Sequence, residues 1–171
     1  MHKIGIIGHK TENLQDPEFA EKELHRTLDI ITFQYKDDCA INLGGDRGID
    51  LWAGNYCLEK YIKYHLFLPC LPNKFSEFWY DEQKNILNKQ LEAARAVTIC
   101  SSESNIEFER DVTLIDNSSF IICFWSGKKI GRTFEAIKYG LKANKIILDG
   151  FDELKLITNS NIKKEGKYGN F

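Results

Sequence analysis

Short apolar runs alternate along the chain with longer stretches in which apolar residues recur every three or four positions. The runs predict strands and the stretches predict helices. Strands are expected at about 3–8, 39–43, 64–69, 96–100, 119–125 and 145–148. Helices are expected from 16–18 onward and at about 49–61, 75–95, 106–116 and 131–143.

The first helix has the clearest start. Asp16 offers a capping carboxylate, and Pro17 suits the first helical position. One face of this helix is predicted to be buried, with Ala20, Leu24, Leu28, Ile31 and Tyr35 at spacings of four and three.

The repeated alternation of strand and helix predicts a fold class. Consecutive apolar strands joined by helices are typical of a mostly parallel sheet covered on both faces. We therefore expect a doubly wound, Rossmann-like α/β domain over 1–150. The remaining residues, 151–171, read as a polar tail without predicted structure.

Composition agrees with one globular domain and narrows the function. The chain has 171 residues, of which 43% are hydrophobic, and this excludes a disordered or low-complexity protein. Lys and Arg number 23 against 25 for Asp and Glu, giving a net charge of −2. A basic excess typical of nucleic-acid binding is absent from this balance, so the sequence carries no strong nucleic-acid signal.

Cysteine usage and hydropathy indicate where the protein resides. The five cysteines are odd in number and never form Cys-x-x-Cys, which is typical of buried thiols in a reducing compartment. A zinc site with one of the four histidines is the alternative, and no metal is predicted. The longest apolar run, 120–125, is too short to span a membrane. We expect a cytoplasmic protein without a membrane partner.

The loops that follow strands one, two and five carry the candidate chemistry, because ligands of open α/β sheets bind beyond the carboxyl ends of strands. They contain Gly8, His9 and Lys10; Gly44, Gly45, Asp46, Arg47, Gly48 and Asp50; and Trp125, Ser126, Gly127, Gly131, Arg132 and Thr133. Glycine permits close backbone approach, and a helix N-terminus offers unpaired N–H groups to phosphate. The pattern predicts a pocket for an anionic, nucleotide-like small molecule. It matches neither a Walker A nor a Gly-x-Gly-x-x-Gly sequence, which disfavours an ATPase or a conventional NAD dehydrogenase.

Each of these residues also has a purely structural interpretation. Glycines can simply make the turns, and Asp50 can cap its helix rather than contact a ribose. Trp125 can stack on a base or belong to the core, and His9 can contact phosphate, transfer a proton or support the turn. Arg110 and Asp111 can form an ordinary surface pair.

The aromatic residues of 75–80 are open to two interpretations as well. They can form a lid over a bound base, or one helix face packed against the sheet. The second is the commoner use of such a stripe.

Three sequence blocks resemble the YpsA-like (YoqJ-like) family of the SLOG superfamily, which also contains DprA and the LOG phosphoribohydrolases. Residues 6–10 resemble the family's strand ending in Gly-His-Arg, and 44–53 its Gly-x-x-x-Gly-x-Asp-x-Trp-Ala block. Residues 110–118, 124–127 and 131–133 resemble its Arg-Asn, Met-Val-Asp, Trp-Asp-Gly and Gly-Gly-Thr blocks. Order and spacing hold from residue 3 to about 148.

The resemblance implies a Rossmann-like domain that binds a nucleotide or a nucleotide-derived ligand. It draws attention to Arg110 as an anion contact, and it allows a homo-oligomer, since relatives are often dimers or larger. No cofactor is implied.

Hydrolase relatives of the superfamily cleave an N-glycosidic bond with Pro-Gly-Gly-x-Gly-Thr-x-x-Glu. Here the Pro-Gly-Gly lead is missing, Arg132 replaces the glycine before Thr133, and Glu135 follows that threonine by two residues rather than three. Successive residues of a helix are rotated by about 100° about its axis, so the carboxylate of Glu135 should point in a different direction from the glutamate of the hydrolases.

Three functions therefore stand open at this point. The preferred one is a module that binds a phosphorylated, ribose-containing molecule in sensing or regulation. The second is a phosphoribohydrolase-like enzyme with Glu135 as its catalytic acid or base. The same residue can instead be an ordinary acid in the first turn of a helix, stabilised by the helix dipole. The third is a protein-interaction adaptor with a vestigial pocket.

Overall fold

The computed structural model describes residues 1–100 and 106–163. It contains one sheet of seven strands: β1 (His2–Gly8), β2 (Cys39–Leu43), β3 (Tyr64–Leu68), β4 (Ala96–Ile99), β5 (Phe120–Phe124), β6 (Ile147–Asp149) and β7 (Lys155–Leu156). The helices are α1 (Pro17–Tyr35), α2 (Ile49–Glu59), α3 (Pro72–Phe75), α4 (Asp81–Ala93), α5 (Ile106–Asp116), α6 (Arg132–Lys142) and α7 (Asn159–Lys163).

The strand order places the site. The sheet runs β4-β3-β2-β1-β5-β6-β7, with every neighbouring pair parallel except β6 and β7. The chain moves outward from β1 to β4 and then returns to the other side of β1 with β5. The order therefore reverses between β1 and β5, and a crevice at such a point is where α/β sheets bind ligands.

Helices cover both faces of this sheet over two apolar layers. One layer joins Leu24 and Leu28 of α1 to Ala53 of α2 and Ile4 of β1. The other includes Ile115 of α5, Ile137 of α6, and Ile121 and Cys123 of β5. The predicted Rossmann-like α/β class is confirmed.

The start of α1 follows its sequence signal closely. An Asp16 carboxylate oxygen accepts the N–H of Phe19 at 2.9 Å, and Pro17 occupies the first turn. Of the predicted inner face, Ala20, Leu24, Leu28 and Ile31 are buried and Tyr35 is partly buried.

The stretch predicted as one helix over 75–95 is two helices separated by an irregular turn. The Ser76 hydroxyl donates to the carbonyl of Pro72 at 2.8 Å, α3 ends at Phe75, and α4 begins only at Asp81. Phe78 is 91% exposed as a result. Of the two interpretations of this aromatic group, the favoured one, a helix face packed against the sheet, was wrong.

Part of the predicted tail is structured. Residues 155–163 contain β7, which pairs antiparallel with β6, and α7. Ile157 between them is buried in the second apolar layer. Ile157 belongs to no helical or alternating pattern of apolar residues, so its burial could not be predicted from the sequence. Residues 164–171 lie outside the described part.

None of the described helices is both long enough and apolar enough to cross a membrane. No group of three His, Cys, Asp or Glu side chains within 1–100 and 106–163 is arranged to hold a metal ion. The five cysteines are free, and Cys39, Cys57 and Cys123 are buried.

Candidate functional site

A cleft of about 530 Å³ opens beyond the carboxyl ends of β1 and β5. The β1–α1 loop forms one wall and the start of α6 forms the other. Its lining includes Gly8, His9, Lys10, Glu107, Lys128, Gly131, Arg132 and Thr133. Topology thus brings the predicted first and third loops together, with α5 adding a residue.

Asp46, from the loop after β2, lies at the centre of a buried charge cluster behind this cleft. One of its carboxylate oxygens lies 3.0 Å from Arg132, 3.4 Å from Lys10 and 3.8 Å from Arg110. Burial alone would raise the pKa of Asp46, but the three cations together hold it below its ordinary value. We call Asp46, Asp111, Glu107, Lys10, Arg110 and Arg132 the charge cluster.

Arg110 is enclosed by protein groups. It is 1% exposed, donates through Nε and one terminal nitrogen to Asp111 at 3.0 and 2.6 Å, and donates through the other to the carbonyl of Gly44 at 3.0 Å. The interpretation of Arg110 and Asp111 as a surface pair was wrong. Their role is to hold the loop after β2 against α5.

Arg132 connects the cluster to the cleft. Its guanidinium contacts Asp46, Asp111 at 3.2 Å and Glu107 at 2.8 Å. Burial would lower the pKa of Arg132, whereas these carboxylates raise it above its usual value. Its charge is therefore permanent.

Asp50 is fully enclosed next to this cluster. Its carboxylate accepts the N–H of Gly44 at 3.3 Å, and α2 begins after Gly48 without a side-chain cap. Of the two interpretations of Asp50, the one in which it caps its helix was therefore wrong. Burial raises the pKa of Asp50 to about 6, with Arg110 opposing the shift. It lines an internal cavity of about 10 Å³, which has room for about one water molecule.

Three amides of the second loop are paired within the protein. Asp50 accepts from Gly44, Asp46 accepts from Arg47 at 2.8 Å, and the carbonyl of His9 accepts the N–H of Ile49 at 3.3 Å. Carboxylates and a carbonyl thus accept from these three amides, which are therefore not open to an anion.

The third loop is different. Gly131 has a φ of +86°, and a Cβ placed on it would meet no described atom within 4 Å. It is the N-cap of α6, whose start has no side-chain cap. Of the two helix N-termini predicted to bind an anion, those of α2 and α6, the N-terminus of α6 lines the cleft.

His9 forms part of the wall rather than a free base. Its Nε2 accepts the N–H of Ser126 at 3.1 Å, so the ring proton must lie on Nδ1, which faces the Thr133 hydroxyl at 3.3 Å. That hydroxyl donates to the carbonyl of Gly8 at 3.3 Å. Burial, then Lys128 and Arg132, lower the pKa of His9 to about 4. The neutral ring ties the loop after β1 to the loop after β5, which favours the structural interpretation.

Trp125 and Glu135 do not face this cleft. The indole N–H of Trp125 donates to the carbonyl of Lys128 at 2.8 Å, and its buried ring stacks on Phe134 at a centroid distance of 5.7 Å. Glu135 is exposed and pairs with Lys138 at 2.7 Å. Among the described residues that line the cleft, neither is present.

Two residues that line the cleft with Arg132 were not among the predicted site residues. Glu107 contacts Arg132 and lies 3.4 Å from Lys10, and Lys128 lines the cleft opposite. Lys128 was visible as a basic residue of the third loop. Glu107 carried no signal beyond being an acid in the first turn of a helix, because only the packing of α5 beside α6 brings it to Arg132.

Comparisons with solved structures agree on the fold. The DNA processing protein A (DprA) of Helicobacter pylori, which binds single-stranded DNA, matches with a TM-score of 0.61 at 16% identity over 86% of this chain. DprA of Streptococcus pneumoniae matches with a TM-score of 0.61 at 12% identity over 90% of it. The chain has the Rossmann-like fold of DprA.

TM1055 has a similar fold, with a TM-score of 0.61 and 12% identity over 95% of this chain and 89% of its own. The likeness spans only 64% and 54% of the two DprA chains. No protein-family model matches the sequence, and no curated protein is detectably similar to it.

Proposed function

We propose that this chain binds a nucleotide, or another phosphorylated ribose-containing molecule, with its phosphate at the start of α6, and that it serves in sensing or regulation. This is the function implied by the resemblance to the YpsA-like family. The observation that carries the proposal is the cleft itself, where the uncapped start of α6 faces Lys10, Lys128 and Arg132. Unpaired amides and the helix dipole favour an anion at that position.

The charge cluster supports this assignment and indicates how an anion enters. Glu107 touches both Arg132 and Lys10, yet its side chain is 43% exposed, against 2% for Asp46 and 6% for Asp111. It is therefore the carboxylate most easily displaced. We infer that a phosphate group replaces Glu107 on these two cations while Asp46 and Asp111 keep Arg132 in place.

Binding is favoured over hydrolysis. Glu135 pairs with Lys138 outside the cleft, and the net effect of the nearby cations is to hold the pKa values of Asp46 and Glu107 low. A general acid needs a proton at the working pH, which these ionised groups lack. Asp50 has a suitable pKa but lines the small internal cavity instead.

Single-stranded DNA is a weaker candidate, although a DprA neighbour binds it. Affinity for DNA grows with the number of phosphates that basic side chains neutralise. Here the net charge is −2, and Lys10, Arg110 and Arg132 already contact carboxylates.

Calorimetric titration with AMP, ribose 5-phosphate, inorganic phosphate and a thymidine oligonucleotide tests the proposal. AMP and ribose 5-phosphate should bind, and Lys128→Ala should weaken both about tenfold, the effect of losing one charge-assisted hydrogen bond. Lys129→Ala is the matched control, since it removes the same charge from the adjacent exposed position. Absence of binding by all small ligands would refute the proposal, as would equal effects of the two variants.

Two further readouts separate the alternatives. Release of free base from AMP, lost in Glu135→Gln, would establish the hydrolase instead. Binding of the oligonucleotide alone would assign the cleft to DNA, and binding of none of the four compounds would favour the adaptor.

A further inference from the structure

A second cavity, of about 450 Å³, adjoins the first turn of α1 and the ends of β5 and β6. It is lined mainly by Leu14, Phe19, Ala20, Trp125, Ser126 and Phe151. Its volume lies within the range of small-molecule sites. We call it the aromatic pocket.

The aromatic pocket and the anion cleft share a partition. The cleft is lined by Gly8 at the end of β1 and by His9, Lys10, Glu12 and Asn13 of the β1–α1 loop. The aromatic pocket is lined by the end of that loop, at 14–16, and by Phe19 and Ala20 in the first turn of α1. The hydrogen bond from the Ser126 N–H to His9 Nε2 joins the two sides of this partition. A molecule that places one end in the cleft can therefore reach the aromatic pocket over the same loop.

Aromatic rings form fixed walls in this pocket. Phe151 is wedged edge-on against Phe124 at a centroid distance of 5.3 Å and lies nearly parallel to Phe19 at 6.1 Å. Trp125 is held by its hydrogen bond to Lys128 and by stacking on Phe134. Such preorganised flat walls suit a planar ring rather than a flexible chain, because aromatic contacts favour offset-stacked and edge-on geometry.

Polar groups at the pocket are few and suited to a heteroaromatic ring. Asp16 and Gln15 lie at its exposed side, and one Asp16 oxygen caps α1. The Ser126 hydroxyl is buried without a hydrogen-bond partner in the described structure. Acceptors and a hydroxyl beside aromatic walls suit the hydrogen-bonding edge of a base, which an aliphatic ligand lacks.

We infer that the aromatic pocket receives the nucleobase of the same ligand whose phosphate binds at α6. This inference rests on the proposed function and adds the part of the molecule that determines specificity. Phe19, which is 45% exposed at the pocket, contributes the wall that can be removed with least damage to the core.

The test compares ligands with and without the ring by calorimetry. AMP, GMP, CMP or UMP should include at least one that binds tenfold or more tightly than ribose 5-phosphate. Phe19→Ala should reduce that nucleotide to the affinity of ribose 5-phosphate and leave ribose 5-phosphate itself unchanged. Phe33→Ala is the matched control, since Phe33 lies on the same helix, is 82% exposed and is not among the residues that line the aromatic pocket in the described structure.

The outcomes separate this inference from the proposed function. If ribose 5-phosphate binds and no nucleotide binds more tightly, or if Phe19→Ala weakens both equally, the inference fails and the proposed function stands. If ribose 5-phosphate fails but adenosine, guanosine, cytidine or uridine binds in a Phe19-dependent way, the ring site is supported and the phosphate site is refuted. If all four nucleosides also fail, both are refuted. Should Phe19→Ala not fold, Leu14→Trp, which fills the pocket, takes its place with the same expected results.

Discussion

The carboxylate of Asp46 lies 3.0 Å from the guanidinium of Arg132, which joins the loop after β2 to the first turn of α6. Both side chains are largely buried, and Asp46 also faces Lys10 and Arg110. These contacts cross the point where the sheet reverses its strand order. The pair therefore fixes the relative position of two loops that no backbone hydrogen bond of the sheet connects directly.

Asp46→Asn should lower the free energy of unfolding by up to about 3 to 5 kcal/mol, because it removes the buried carboxylate that Arg132, Lys10 and Arg110 share and leaves part of their charge uncompensated. Urea unfolding measures this loss. Glu12→Gln removes a more exposed acid, paired with Arg47 at 2.8 Å, and should cost less than about 1 kcal/mol. Losses of similar size in the two variants would contradict the central role of Asp46.

Glu107→Gln should strengthen the binding of ribose 5-phosphate and AMP about tenfold. The exposed carboxylate competes with the ligand for Arg132 and Lys10, and a neutral amide competes less. Calorimetric titration measures the change. Glu109→Gln, which removes the same charge from α5 outside the charge cluster, should have a much smaller effect. Weaker binding in Glu107→Gln would mean that Glu107 contacts the ligand rather than standing in its place.

The strands and helices that surround this site could be predicted from the sequence better than the side-chain contacts within it. Apolar runs and the Asp16–Pro17 start located β1, β2, β5 and α1, because these signals are local. Which groups satisfy the loop amides depends on residues far apart in sequence, as Glu107 and Arg132 show. The buried position of Arg110 was missed for the same reason, since arginine is ordinarily a surface residue.

Asp50→Asn should stabilise the protein at neutral pH and change it little in acid. Burial raises the pKa of Asp50 from 3.8 to about 6 in the folded protein, so between these values the folded state holds a proton that the unfolded state has lost. The contribution of Asp50 to stability is therefore present below about pH 4 and is lost as the pH rises through 6.

An amide stays neutral and can still accept the Gly44 N–H, so the variant should gain roughly 2 to 3 kcal/mol over the wild type at pH 7.5. At pH 4 the two proteins should unfold at similar urea concentrations. Asp50→Ala is the control that removes both the charge and the hydrogen bond. A gain that is the same at both pH values would rule out ionisation of Asp50 as its cause.

Gly48 and Gly131 form a matched pair that separates backbone packing from ligand access. Their φ angles are +84° and +86°, so a side chain strains the backbone similarly at each position, by about 1 to 3 kcal/mol. A Cβ on Gly48 would also lie 2.6 Å from the carbonyl oxygen of His9 and 2.7 Å from the amide nitrogen of Thr11, whereas one on Gly131 meets open space. Gly48→Ala should therefore lower the unfolding free energy by several kcal/mol more than Gly131→Ala.

Ligand binding should respond in the opposite way, with Gly131→Ala weakening it although this variant loses less stability than Gly48→Ala. Gly131→Ala places a methyl group at the open start of α6, where the phosphate is proposed to sit, and should weaken ribose 5-phosphate binding while the protein stays folded. Urea unfolding and calorimetry on the two variants measure both effects. Equal stability losses would mean that the contact of Gly48 with the β1–α1 loop contributes little, and unchanged binding in Gly131→Ala would move the phosphate away from α6.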